Sequence, residues 1–179
     1  MGVYRLRAMR SHEHPRPRDG ETTALVATGS NLGDRAATIA AAIKALGALP
    51  RTRVLTVSPL IETDPIGPPD QGRYLNGAVL LSTALRAREL LEAMLAIETG
   101  LGRVRDPARR WGPRTLDLDL ILFGDGVINE PGLHVPHPRL HERVFVLIPA
   151  AQIAPDMPVP GHHASIATLL ERCRLGSPA

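Results

Sequence analysis

The sequence predicts an α+β sandwich of ferredoxin-like βαββαβ order: a largely antiparallel sheet with its helices on the outside, packed on one face. Two observations carry that prediction. Between residues 23 and 123, apolar patterns of strand and helix period follow one another as strand, helix, strand, strand, helix, strand. At 179 residues and 44% hydrophobic content, the chain has the size of one domain and the side chains for a packed core. That domain is expected over residues 23–175, behind a disordered extension over residues 1–22.

Thr23 to Thr28 is a short apolar strand, stopped by Gly29-Ser30-Asn31-Leu32-Gly33. This loop reads as turn chemistry; it lacks the lysine of a P-loop and the spacing of a dinucleotide fingerprint. A helix begins at about Asp34, buries Ile39, Ile43 and Leu46, and ends at Gly47 and Pro50. Arg53 to Ile61 alternates as a strand, and Pro65, Gly67, Pro68 and Pro69 force a loop. Tyr74 to Thr83 is the next strand, and Leu90, Leu91, Met94, Leu95 and Leu101 trace a helix that stops near Gly100 and Gly102. After an arginine-rich loop, Gly102 to Arg114, comes a strand over Thr115 to Phe123. Asp125-Gly126 is a hairpin signal before Val127-Ile128, and Phe145–Ala151 and Ser165–Arg172 read as helices.

The net charge of +3 sits in residues 1–20, where five arginines meet two acids; from residue 21 onward the chain is neutral. A pI of about 9.7 is therefore weak support for nucleic-acid binding. Cys173 is the only cysteine, which excludes an intrachain disulfide and a cysteine zinc cluster. No apolar run approaches the roughly 18 residues of a membrane span. Met1 to Arg10 has no apolar signal core, so the expected compartment is the cytoplasm.

Thr115-Leu116-Asp117-Leu118-Asp119-Leu120 is the most informative stretch. Residues two apart on a strand share a face, so Asp117 and Asp119 stand side by side while the leucines point into a core. Two adjacent carboxylates repel unless a cation lies between them, and a small set of hard oxygen donors suits Mg²⁺ completed by water and phosphate. Taken alone, the pattern also fits a half-buried strand with acids facing water. Arg103, Arg105, Arg109, Arg110 and Arg114 crowd into the twelve residues before the pair. Guanidinium groups fork onto phosphate oxygens, so the combination points to Mg²⁺-polyphosphate handling, with a solvated loop or an RNA patch as the alternatives. An aromatic content of 3% disfavours RNA.

Tyr74 and Asn76, again two apart, can stack and edge-read a flat heterocycle, or can be a core tyrosine beside a loop asparagine. His134 and His137 have no third nitrogen or sulfur ligand at useful spacing, so a phosphate contact together with Arg143 fits them better than zinc. His162-His163 reads as surface.

Taken together, the segments resemble the 6-hydroxymethyl-7,8-dihydropterin pyrophosphokinase family. The resemblance rests on Thr28 to Gly33, Glu62-Thr63 through Tyr74-Leu75-Asn76, Gly102 to Arg105, Arg110-Trp111-Gly112-Pro113-Arg114-Thr115-Leu116-Asp117-Leu118-Asp119, and Val135-Pro136-His137 with Arg143 and Phe145. They stand in family order from residue 23 to about 160, and the R-W-G-P-R-x-x-D-x-D string is the specific one.

The resemblance implies transfer of pyrophosphate from ATP to the pterin hydroxymethyl group, with release of AMP, in folate biosynthesis. It implies two Mg²⁺ ions on Asp117 and Asp119, and Arg103 and Arg114 as the arginines of the transfer. By the same resemblance, Glu98, Arg105, Arg110, Leu120, His134, His137 and Arg143 contact ATP. Thr63, Ile66, Tyr74, Asn76, Trp111 and Phe145 surround the pterin. The partners are then the two small substrates, with no nucleic acid and no membrane, and the chain is expected to act as a monomer. The sequence departs from the family pattern at Ile61, Asp64 and Leu95, and carries one residue more than some relatives between Arg105 and Trp111. The rival readings are a ferredoxin-like RNA-binding module and a Mg²⁺-dependent nucleotidyltransferase.

Overall fold

The computed structural model of the chain describes residues 17–65, 71–104 and 112–176. Its elements begin with β1 (Thr22–Ser30), α1 (Arg35–Gly47), β2 (Thr52–Val57), β3 (Ile61–Thr63), β4 (Tyr74–Thr83), α2 (Ala87–Gly100) and β5 (Asp117–Phe123). The main sheet runs β2-β4-β1-β5, with β3 also on β4, and every one of these pairings is antiparallel. Asp34 caps α1 by accepting the Ala37 N–H at 3.0 Å. β4 starts and ends where the sequence places it.

The strand expected over Arg53–Ile61 is two strands. Pro59 lacks an N–H for a ladder, and Ser58 takes over its pairing with β4. The Ser58 N–H donates to the Ala78 carbonyl at 2.9 Å, and Ser58 Oγ accepts the Ala78 N–H at 2.9 Å. Asp125-Gly126 also does not fold β5 back into a hairpin. Instead β6 (Ile128–Glu130) pairs with β7 (Leu133–Val135) across Pro131-Gly132, with Gly132 at φ +73°, the proline-then-positive-φ pattern of a type II turn.

Helices cover both faces of the sheet, not one as expected. α1 and α2 pack Ile39, Leu46, Leu90 and Met94 against Val26, Val79, Leu81, Leu118 and Leu120. A 3-10 turn (Leu140–Glu142), α3 (Val144–Ile153), the small hairpin β8 (Pro158–Val159)–β9 (Ala164–Ser165) and α4 (Ile166–Arg174) follow β7. Leu147, Ala150, Ile166 and Leu169 from this half pack on the opposite face, against Leu25, Ala78, Leu80, Ile121 and Leu122. The continuous apolar runs Ala24–Ala27 and Ala78–Leu81 are the mark of strands buried on both faces.

A bulge separates the two halves of β5. Leu25 pairs with Leu122 and Val26 with Leu120, so Ile121 is the extra residue. On the N-terminal side of the bulge, Leu116, Leu118 and Leu120 face α1 and α2, which sends Asp117 and Asp119 to the other face.

Candidate active site

The cleft opens on the α3 side of the sheet, between the ends of β1, β4 and β5 and the wall made by the 3-10 turn and the start of α3. It holds about 880 Å³ of empty space, its open mouth included. Asp117, Asp119, Tyr74 and Asn76 line it from the strands, Thr63 from β3, Arg114 from the loop before β5, and Arg143 and Phe145 from the opposite wall.

Gly29 lies at the centre of the floor, in register with Asn76 on one side and Asp117 on the other. A Cβ there would stand 3.0 Å from Asn76 Oδ1 and 3.8 Å from both Asp117 Cβ and Tyr74 Cδ1. The two longer distances are ordinary contacts, so it is the Asn76 amide for which the glycine makes room, a close-approach role rather than the turn role its loop suggests. Asn76 is buried and donates from Nδ2 to Thr63 Oγ1 at 2.8 Å, which orients its amide. Burial raises the Tyr74 phenol above its ordinary range, so the ring is present as neutral tyrosine. Across the cleft the Arg143 guanidinium carbon lies 5.9 Å from the Phe145 ring centre, a cation–π distance.

Both carboxylates are held by arginines. Arg103 Nη1 donates to Asp117 Oδ1 at 2.5 Å, Arg114 Nη1 to Asp117 Oδ2 at 2.6 Å, and Arg143 Nη1 to Asp119 Oδ2 at 2.9 Å. Desolvation would lower the Arg114 pKa, but the adjacent Asp117 outweighs it and the net shift is upward.

Asn31, which the sequence reading passed over as turn chemistry, fixes the backbone of Arg114 on both sides. Its Oδ1 accepts the Arg114 N–H at 2.6 Å and its own N–H donates to the Arg114 carbonyl at 3.0 Å. Its Nδ2 donates to Gln71 Oε1 at 3.3 Å and the Gly72 carbonyl at 3.2 Å, so one asparagine joins two loops at the cleft mouth. The partners lie 83 and about 40 positions away, so spacing within the segment gives no sign of this.

The residues expected at ATP are more dispersed. Arg143 lines the cleft, whereas His134 is exposed on β7 with Nδ1 2.7 Å from Asn129 Oδ1. His137 N–H donates to the Ile121 carbonyl, and its Nδ1 accepts the Arg139 N–H at 3.1 Å, which leaves the proton of the neutral ring on Nε2. Burial, then the Arg143 charge, pushes the His137 pKa down. The Leu120 side chain is buried in the core beneath α1 and α2. Glu98 is also buried, bonded to Arg103 and to the Leu118 N–H. Ile66, Arg105, Arg110 and Trp111 lie outside the described residues, as does Arg109. Arg139 and Glu142 line the cleft without having been singled out by any sequence pattern.

A magnesium ion fits the donor chemistry at Asp117 and Asp119: two hard carboxylates side by side, 24% and 34% exposed at the cleft floor. No group of three or more His, Cys, Asp or Glu side chains poised for a metal occurs among the described residues. An ion here therefore needs ligands from water and from a bound phosphate.

Residues 25–155 match the family model described as 7,8-dihydro-6-hydroxymethylpterin-pyrophosphokinase. The chain is 50% identical over 149 residues to a 2-amino-4-hydroxy-6-hydroxymethyldihydropteridine pyrophosphokinase of Pseudomonas aeruginosa, covering 83% of this chain and 90% of that one. It is 44% identical over 140 residues to the protein of the same name from Methylorubrum extorquens, covering 78% and 87%. Among solved structures it resembles wild-type Plasmodium falciparum HPPK-DHPS with pterin and p-hydroxybenzoate, with a TM-score of 0.64 at 14% identity. That match covers 90% of this chain and 44% of the other, so the chain spans under half of the solved protein and the likeness is one of fold.

Proposed function

The chain belongs to the 7,8-dihydro-6-hydroxymethylpterin-pyrophosphokinase family, and from that premise we propose how its cleft carries out the reaction. The enzyme transfers a pyrophosphoryl group from ATP to the hydroxymethyl group of 6-hydroxymethyl-7,8-dihydropterin in folate synthesis, and AMP leaves. The observation that carries our residue assignment is the convergence, around Gly29, of a carboxylate pair with its arginines and a Tyr74–Asn76–Thr63 corner facing Phe145.

The pterin ring lies between Tyr74 and Phe145, with Asn76 and Thr63 reading its edge; Ile66 and Trp111 belong to the same subsite. This places the hydroxymethyl group toward Asp117 and Asp119. ATP lies along Arg114 and Arg143, with Arg105, Arg110, His134 and His137 along its course. The hydroxyl oxygen forms a bond to the β-phosphorus while the bond from that phosphorus to the AMP oxygen breaks, and the hydroxyl proton passes to solvent or phosphate. Little covalent chemistry falls to the protein, which aligns two substrates and stabilises charge. Arg103 and Arg114 release Asp117 and turn to the phosphates, where charge develops. Two Mg²⁺ ions held by Asp117 and Asp119 would supply charge neutralisation at the phosphate oxygens and acidify the hydroxyl.

We read the sheet as ferredoxin-like. Strand order β2-β4-β1-β5 with α1 and α2 on one face supports this reading, in which β3 and the α3–α4 half are additions. We also propose a cytoplasmic monomer that binds neither nucleic acid nor membrane. The neutral charge of the chain from residue 21 onward supports the absence of a nucleic-acid partner, and no described helix is long and apolar enough to cross a membrane. Incubation with ATP, Mg²⁺ and the hydroxymethyl dihydropterin tests the function: AMP and a diphosphorylated pterin are expected. Release of inorganic pyrophosphate with a nucleotidylated product would overturn it.

A further inference from the structure

Glu98 is a costly residue where it stands. It lies in the last turn of α2, which carries no basic residue, so the helix dipole opposes its charge, and it is only 1% exposed. A buried carboxylate persists only when its partners repay its desolvation. Two partners meet on one oxygen: Glu98 Oε1 accepts the Leu118 N–H at 2.8 Å and also accepts Arg103 Nη1. Leu118 lies between the two aspartates on β5, an edge strand of the sheet. The Glu98 carbonyl in addition accepts the Arg103 N–H at 3.0 Å.

One guanidinium nitrogen of Arg103 is thus shared between a carboxylate inside the protein and a carboxylate, Asp117, at the cleft floor. The two differ in what can reach them. Asp117 is open to a cation, and a cation bound there competes with Arg103 for it. Glu98 is out of solvent and does not line the cleft. We propose that Glu98 is a positioning residue of the transfer step. It acts through Arg103, keeping that guanidinium aimed at the reacting phosphates once Asp117 has exchanged it for metal, and it does not contact the nucleotide. This rests on the reading of Arg103 as a transfer arginine.

Glu98→Gln, Arg103→Ala and the double variant test it, by single-turnover rate and equilibrium ATP binding. Glu98→Gln keeps an acceptor of the same shape for the Leu118 N–H and loses the charge. Its rate should fall about tenfold or more, the scale of a weakened charge-assisted hydrogen bond, with ATP affinity changed by less than about twofold. Arg103→Ala should lose about 10²-fold, and the double variant should be no slower than Arg103→Ala alone. Thermal melts give a readout that does not need the Glu98→Gln single variant: Arg103→Ala strands a buried charge, so the double variant should melt above it. Three results overturn the proposal. If Arg103→Ala keeps full rate, the reading beneath it fails. If Arg103→Ala is slow and the double variant is slower by a further factor, or melts no higher, Glu98 does not act through Arg103. If Glu98→Gln loses ATP affinity in proportion to rate, Glu98 is a nucleotide contact.

Discussion

An ion cluster lies beside each end of β1, one at Glu21 and one at Asp117, and the two are built to different ends. At the end away from the cleft, Glu21 is 13% exposed, pairs with Arg53 at 3.0 Å and accepts the Ser82 hydroxyl. Beside them Thr52 Oγ1 and Thr83 Oγ1 lie 2.7 Å apart. Apart from the buried Arg53 Nε, these groups find their partners within the fold, and the Ser82 hydroxyl, then Arg53, hold the Glu21 carboxyl down at about 2. At the cleft end, Asp117 and Asp119 face open space and are held by Arg103, Arg114 and Arg143, long cations that can turn to another anion. A closed cluster ties strands together; an open one keeps its charges exchangeable. The partners of the charge, not its presence, separate structure from chemistry.

Removing the open cluster's carboxylates should have the largest effect. Asp117→Ala or Asp119→Ala should lower kcat by about 10³-fold or more at saturating Mg²⁺ with a melting temperature near that of the wild type. Near-normal turnover by both would erase the distinction between the two ends.

Splitting the open cluster into transfer and recognition halves comes next. Arg114→Ala should lower the single-turnover rate about 10²-fold and weaken ATP binding far less. Asn76→Ala should do the reverse for the pterin, with a Kd higher by about tenfold, the cost of one buried hydrogen-bonding group. Titration and rapid-quench measurements on both variants decide it, and equal losses in affinity and rate for Arg114 would make it a plain anchor.

Gly29→Ala probes the geometry between the halves. A Cβ 3.0 Å from Asn76 Oδ1 pushes that amide off Thr63, so KM for the pterin should rise a few-fold while ATP binding holds. An unchanged pterin KM would show that the floor gives way freely.

The smallest effect on activity belongs to the closed cluster. A folded pKa below the ordinary value of 4.5 means that Glu21 contributes stability above that value and loses it as pH falls toward 2. Glu21→Gln should therefore leave kcat unchanged and flatten the dependence of melting temperature on pH between about 4.5 and 2. A change in kcat would mean that the two ends communicate through the sheet.

The parts of the molecule legible in the sequence are those set by neighbours along the chain. Alternation alone orients Asp117 and Asp119 away from Leu116, Leu118 and Leu120, and the bounds of β4 follow from its apolar run. What depends on distant partners was hidden. The helices of the second layer are readable over Phe145–Ala151 and Ser165–Arg172, but the face they cover is not, because α3 is apolar nearly all round, with no polar face to mark how it lies on the sheet. Asn31 looks like an ordinary turn residue until the loops at Gln71 and Arg114 are folded onto it. Pro59 splits a strand whose alternation reads as unbroken.

One property of β5 bears on how copies of this protein behave toward each other. It is an edge strand, and an exposed edge is an invitation for another chain to add a strand. Here two of the backbone groups that another chain could use are already taken: Glu98 accepts the Leu118 N–H, and the His137 N–H donates to the Ile121 carbonyl. The strand that must present its carboxylates at the border of the sheet is thereby blunted against strand addition. Strand addition at the other border, β2, would leave those two bonds in place.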